Sequence, residues 1–199
     1  MMFEENGNII DIHHEYLHPG LGSIDNLGQR NSISLDDLID RKDLHDHFQL
    51  AHLLYSPSYI SFEAVLSRWS IIPEFAYHVT SATLLRGGFT ITVERDSNKE
   101  VSYFFNKIPE EVFPMYVNTW YNEDGSVFCH VATREKAVCD QLYRLPEADD
   151  VDDLEKLMFY DQRFDDEDIA ALNRKVISDL ADHYGCKNVT LLDDYLGSL

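Results

Sequence analysis

With 199 residues, 44% of them apolar and 12% aromatic, the chain is long enough to bury a core without disulfide or metal staples, and too apolar to stay disordered. Its 36 acidic residues against 16 basic ones leave a net charge of −20. That argues against direct duplex binding, which works through Lys and Arg that displace phosphate counterions; an acidic body suits a basic protein partner, or serves solubility alone.

Residues 1–33 have no clear period and are punctuated by Pro19-Gly20, Gly22 and Asn26 through Gly28, so an irregular or extended segment is expected there. Residues 34–199 read as a single domain. Ser34 offers an N-cap to a short helix carrying Leu35, Leu38 and Ile39. Leu44, Phe48, Ala51 and Tyr55 then mark one face of a helix near 43–55, which Pro57 ends. Ser61 is a candidate cap for a helix over 61–70, with Phe62, Val65, Leu66 and Trp69 on one stripe and Pro73 as its limit. The pattern then changes to period two. Ala76–Thr83 is rich in β-branched and aromatic residues, Gly87-Gly88 reads as a turn, and Phe89–Val93 alternates. Asp96-Ser97-Asn98 is a second turn before Val101–Phe105, and the three strands read most simply as an antiparallel meander. Asn122 through Gly125 precede a further strand, Val127–Val131.

Thr133 caps a helix over 133–144 with Val138 and Leu142 inward, and Pro146 breaks it. Between Glu147 and Asp168 stand eleven acids against Lys156 and Arg163, with Leu154, Leu157 and Met158 giving a short amphipathic helix. Asp165, Asp166, Glu167 and Asp168 crowd the start of a last helix, 166–184, where the helix dipole favours negative charge. It carries Ile169, Leu172, Val176, Leu180 and Tyr184 on one face, and Gly185 is its stop. The expected class is α+β: a small, mostly antiparallel sheet over about residues 75–131 flanked by N- and C-terminal helices.

Little in this pattern points to chemistry. Cys129, Cys139 and Cys186 are scattered, without a C-x-x-C, and read as small core residues. Gly87-Gly88 lacks the spacing of a phosphate-binding loop, and no G-x-S-x-G elbow exists for a nucleophilic serine. His45, His47 and His52 are out of phase for a shared ligand face, and His13-His14 with His18 fall in a loop; all read as solvated. Asp149, Asp150, Asp152 and Asp153 lack the central Gly and distant Glu of a calcium loop. Glu94-Arg95-Asp96 and Lys99-Glu100 carry nuclease-like residues in the wrong order, which leaves a charged hairpin. Lys136 and Asp140, at i and i+4, read as a helix-surface pair, with a partner contact as the alternative. No catalytic, cofactor-binding or metal site is therefore expected. No apolar run approaches the roughly 20 residues of a membrane helix, and the Met1-Met2-Phe3-Glu4 start is unlike a signal peptide. Cytoplasm is the expected compartment.

Three segments together carry a resemblance. Tyr55-Ser-Pro-Ser-Tyr-Ile-Ser-Phe-Glu-Ala-Val-Leu66 followed by Ile72-Pro73-Glu74, then Val79-Thr-Ser-Ala-Thr83 with Arg86, then Ala132-Thr-Arg-Glu-Lys-Ala-Val-Cys-Asp140 with Leu142-Tyr143, resemble in order and spacing the antitoxin domain of AbiEi proteins, from the type IV abortive-infection toxin–antitoxin systems. Ala64-Val65 and Arg134 depart from the usual residues. The resemblance covers about His47 to Tyr143 and carries over to Tyr59, Ser61, Glu63, Thr80, Ser81, Thr83, Glu135, Lys136 and Asp140 as capping, packing or contact positions. It implies a module that counteracts a nucleotidyltransferase toxin without catalysis of its own. Residues 1–46 are too acidic and too poor in helical period for the winged helix such proteins carry, so direct strong DNA binding is not expected. The expected partner is a basic, nucleotidyltransferase-like toxin, met through Arg134, Glu135, Lys136 and Asp140 on one helix and Asp149, Asp150, Asp152 and Asp153 in the acidic tract. A transcriptional regulator acting on DNA only as an oligomer, and an enzyme acting on nucleic acid, are the alternatives.

Overall fold

The computed structural model describes residues 2–5, 8–11, 44–95, 99–121, 125 and 127–199. The chain is mixed α and β, as the change of period implies. In order it runs β1 (Met2–Glu5), β2 (Asn8–Asp11), α1 (Leu44–Leu54), β3 (Ser58–Ile60), α2 (Glu63–Arg68), β4 (Val79–Thr83), β5 (Phe89–Arg95) and β6 (Lys99–Lys107). There follow β7 (Val117–Tyr121), β8 (Val127–Ala132), α3 (Arg134–Tyr143), α4 (Val151–Lys156), a π-helical turn (Leu157–Asp161), α5 (Asp166–Ala170), α6 (Arg174–Tyr184) and α7 (Lys187–Ser198). The helix expected after Ser34, His13, His14 and His18, and the turn at Asp96-Ser97-Asn98 lie outside the described residues.

Two compact units interleave along the chain. The first comprises Met1–Ile60, Tyr77–Lys107 and Thr119–His130; the second comprises Ser61–Ala76, Ile108–Asn118 and Val131–Leu199.

The first unit holds most of an eight-stranded sheet of order β2-β1-β5-β6-β4-β3-β8-β7. The hairpin expected between Phe89–Val93 and Val101–Phe105 is present, in the register Phe89↔Phe105 to Val93↔Val101. Its charged end pairs Glu94 with Glu100 and Arg95 with Lys99, so the residues that invited a nuclease reading are backbone partners across a hairpin. The meander is wrong in its first step. β4 lies beside β6 and runs parallel to it, with Val79↔Tyr103 and Thr83↔Lys107 in register, while its antiparallel neighbour is β3. The connection Leu84–Gly88 therefore passes over the end of β6 rather than folding back on β4. Gly87 makes that crossing possible: a Cβ there would stand 2.1 Å from the Lys107 backbone nitrogen. Gly88, at φ 79°, completes it and donates its N–H to the Phe105 carbonyl at 2.7 Å. Every residue of β3 and β4 is buried, as interior strands require. Residues 2–5 and 8–11, expected to be irregular or extended, form a hairpin that extends the sheet beyond β5, with Phe3 opposite Ile91. Strands this short carry no readable period, because their order comes from the edge they join. α1 packs on β3 and β4 through a face that includes Phe48, Ala51 and Leu54.

The second unit is helical. Thr133 caps α3 as expected, its Oγ1 accepting the Lys136 N–H at 3.3 Å. Ser61 does not cap α2: the cap position is Phe62, at φ 55°, and it makes no side-chain cap bond. Trp69 leaves the expected buried stripe and is half exposed. The single helix expected over 166–184 is two helices. The chain tightens at Leu172, and Asn173 restarts it by accepting the Lys175 N–H at 3.1 Å, an asparagine using its side chain as a cap rather than continuing the helix. Beyond Gly185, in the left-handed conformation at φ 57°, α7 was not expected. It lies so close to α6 that a Cβ on Gly197 would stand 2.4 Å from Arg174 Nη2. The buried Asn188 side chain fixes α7 to the turn after α3, accepting the Ala148 N–H at 2.8 Å and donating to the Leu142 and Pro146 carbonyls at 3.1 and 3.0 Å. Among the described residues no helix is long and apolar enough to cross a membrane.

Candidate functional site

The four-residue spacing of Lys136 and Asp140 puts both on one face of α3, and that face is turned inward. Both side chains are 0% exposed, with Lys136 Nζ 3.2 Å from Asp140 Oδ1. Tyr184, at the end of α6, accepts from Lys136 Nζ at 2.6 Å and donates to Asp140 Oδ1. Lys136 Nζ also lies 4.4 Å from the centroid of the Tyr184 ring. Ser61 donates to Asp140 Oδ2 at 2.6 Å, which is where its hydroxyl goes in place of capping α2. The surface-pair reading is thus corrected, and as folded neither Lys136 nor Asp140 offers a surface to a partner.

Burial draws the Lys136 ammonium below the ordinary lysine range, and Asp140 pulls it back. The neighbouring Cys139 thiol is pushed up, chiefly by burial and against the pull of Lys136, so it is held protonated and is a poor nucleophile. With every member enclosed, this network admits no substrate; its role is to hold α3, α6 and the start of α2 together. Removing one partner of such a pair typically costs about 3–5 kcal/mol, because the other charge is left buried alone. A second layer lies against it: Gln141 Nε2 donates to Gln162 Oε1 at 2.7 Å and to Glu63 Oε1 at 3.3 Å, and Arg144 pairs with Glu63 while covering the Phe62 ring at 5.2 Å.

The remaining residues named from the sequence divide by role. Arg134 donates to the Asp168 carbonyl at 3.2 Å and Glu135 accepts the Asn173 N–H at 3.2 Å, so both tie α3 to the segments that open and follow α5. Asp149, Asp150 and Asp152 are exposed, and Asp153 is partly so. Asp150 caps α4 by accepting the Asp153 N–H at 3.0 Å, and Asp153 pairs with Lys156 at 2.8 Å. Of these acids Asp152 lines an open groove of about 820 Å³ in this unit, together with Phe159, Tyr160, Phe164 and Tyr195. None of those four aromatics stands out as a site residue in the sequence. Leu157-Met158-Phe159-Tyr160 is four apolar residues in a row, too wide for one buried helical stripe, and that run was the available sign that some of them face outward.

Contrary to what the spacing implied, the histidines are not all solvated. In the first unit His47 is buried, not solvated, with Nδ1 2.8 Å from the Tyr103 hydroxyl. His52 meets His130 edge to face, and His130 Nδ1 is 3.0 Å from Thr119 Oγ1. Among the described residues no group of His, Cys, Asp and Glu side chains is arranged to hold a metal ion. The three cysteines are buried, free thiols. No protein-family model matches the sequence, and no curated protein matches it significantly.

Proposed function

We propose that this chain is an antitoxin-like module of an AbiE-type abortive-infection system, acting in the cytoplasm by contact with a basic, nucleotidyltransferase-like toxin and without chemistry of its own. The observation that carries this reading is the way the three resembling segments come together. In the first unit Ser58, Tyr59 and Ile60 pair with Thr83, Ala82 and Ser81 as β3 and β4. In the second, Ser61 of the first segment binds Asp140 of the third at 2.6 Å. Residues that the resemblance carries over from distant parts of the sequence (Tyr59, Ser61, Ser81, Thr83, Lys136 and Asp140) are buried, so the shared pattern marks a folding framework rather than a contact surface. Contact then falls to exposed residues, and the acidic tract supplies them.

The test is rescue of cells expressing a nucleotidyltransferase encoded beside this gene, by the full chain and by a variant with Asn at Asp149, Asp150, Asp152 and Asp153. Asn at position 150 still caps α4, and exposed pairs such as Asp153–Lys156 contribute about 0–1 kcal/mol, so the variant should fold. Rescue by the native chain and its loss in the variant, at equal protein level, are expected. No rescue and no co-purification with the neighbouring product would sink the reading.

A further inference from the structure

The π-helical turn Leu157–Asp161 places an extra residue in one turn, closed by the Gln162 N–H on the Leu157 carbonyl at 3.0 Å. Phe159 and Tyr160 follow each other into the groove wall. Phe159 meets Tyr195 of α7 at 6.0 Å between ring centroids, Phe164 is buried beneath, and Tyr160 is 80% exposed. Tyr160 thus presents an open ring beside two partly covered ones, and aromatic rings are enriched where proteins meet partners.

The charges around it are mostly negative. Asp152, Glu155, Asp165 and Asp166 line the groove, as do Lys156 and Arg163. Both cations are engaged by carboxylates outside the lining: Lys156 by Asp153 at 2.8 Å, and Arg163 by Glu74. Asp165 and Asp166 each use one carboxylate oxygen on the start of α5, accepting the Asp168 and Glu167 N–H at 3.0 Å, and the four acids still leave the lining a negative surplus for an occupant to meet. Their field reaches the aromatic wall: the Tyr195 phenol is pushed up, first by burial and then by Glu155 and Asp166.

We propose that this groove docks a cationic segment of a partner protein, with an Arg or Lys side chain laid on the Tyr160 and Phe159 rings and its charge met by Glu155 and Asp166. The identity of the partner rests on the function proposed above; the chemistry of the groove does not. A ring face attracts a cation, and flanking carboxylates add charge-assisted hydrogen bonds while steering the encounter. A second copy of this chain brings another −20; nucleic acid and anionic lipid carry the sign of the rim. All three are repelled where a basic segment is drawn in.

The test is fluorescence anisotropy of the full chain with a short labelled Arg/Leu/Ala peptide and its counterpart with Glu for Arg. The Arg peptide should bind and the Glu peptide should not. Binding should weaken by about tenfold or more, roughly one good contact, in Tyr160→Ser and in the pair Glu155→Gln/Asp166→Asn, and persist in Tyr160→Phe. The pair Glu111→Gln/Asp182→Asn removes the same charge from residues that do not line the groove and should leave binding unchanged. Equal weakening by both charge pairs, indifference to Tyr160→Ser, or no binding of the Arg peptide would each overturn the proposal. Failure of the native chain to rescue, with Arg-peptide binding intact, would sink the antitoxin reading alone; rescue by the native chain with no Arg-peptide binding would sink the groove alone.

Discussion

Lys136 shows how one residue's meaning depends on what covers it. Its Nζ has a carboxylate at 3.2 Å and a phenol at 2.6 Å, so Lys136→Met should leave Asp140 charged and enclosed, at a cost of about 3–5 kcal/mol in urea unfolding. The double variant Lys136→Met/Asp140→Leu removes the stranded charge and should be less destabilised than Lys136→Met; simple additivity of the two single losses would count against an enclosed pair. None of this was legible in the i,i+4 spacing, which a surface pair shares. Enclosure depends on Tyr184 and Ser61, far off along the chain. Two histidines give a second test at this scale. His183 is raised above 6.5, first by its hydrogen bond to the Asp179 carbonyl at 2.7 Å, then by nearby acids. Its contribution to stability is therefore full below pH 6.5 and fades as pH rises through its folded value. His130 is lowered by burial, so its contribution is present above pH 6.5 and is lost as pH falls through its folded value. A two-dimensional NMR titration should find His183 titrating above 6.5 and His130 below; the reverse order would refute both environments.

At the scale of elements, the connection from β4 to β5 decides the sheet. A Cβ on Gly87 would meet the Lys107 backbone nitrogen at 2.1 Å, and a backbone atom has nowhere to go. Gly87→Ala should thus cost about 1–3 kcal/mol, the range of overpacking, read as a lower urea midpoint with an unchanged slope. An unaltered midpoint would mean the crossing is looser than drawn. The hairpin β5–β6 could be read from alternation and a turn, because both are local. The parallel pairing of β4 with β6 could not: Gly87-Gly88 looks the same whether the chain turns back or crosses a strand end. Helices followed the same division. α1 matched its apolar spacing, and α3 its spacing and its Thr133 cap, since those cues lie within the element. The break at Asn173 and the continuation into α7 escaped, because the apolar period runs through the first and Gly185 reads as a terminus in the second. The groove went unread because Phe159 and Tyr160 come from the π-turn, Phe164 from the segment after it and Tyr195 from α7, places the sequence does not announce.

For the whole molecule, charge is the strongest constraint, and it makes a prediction whose sign can be checked. Six of the 16 basic residues that would have to meet phosphate are already engaged, against a net charge of −20. Lys136 is enclosed, Arg144 sits on Glu63, Arg163 on Glu74, Lys156 on Asp153 and Arg174 on Asp193, while Arg134 binds Glu135 and the Asp168 carbonyl. A protein that grips phosphates through free cations gains affinity steeply as salt is lowered, because counterion release is then worth more. A body that repels the duplex does the opposite, since lowering salt lengthens the screening distance from about 8 Å at physiological strength to about 30 Å at 0.01 M and exposes more of the repulsion. The full chain should therefore show no binding tighter than about 1 μM, the tight end of ordinary non-specific association, to duplex carrying its own promoter. Any residual association should weaken, not strengthen, as salt is withdrawn. A salt titration by fluorescence anisotropy reads both the affinity and the sign of its slope. Sub-micromolar binding that tightens at low salt would mean that cations now paired to carboxylates are surrendered to phosphate, and that regulation through DNA has to be restored as the working function.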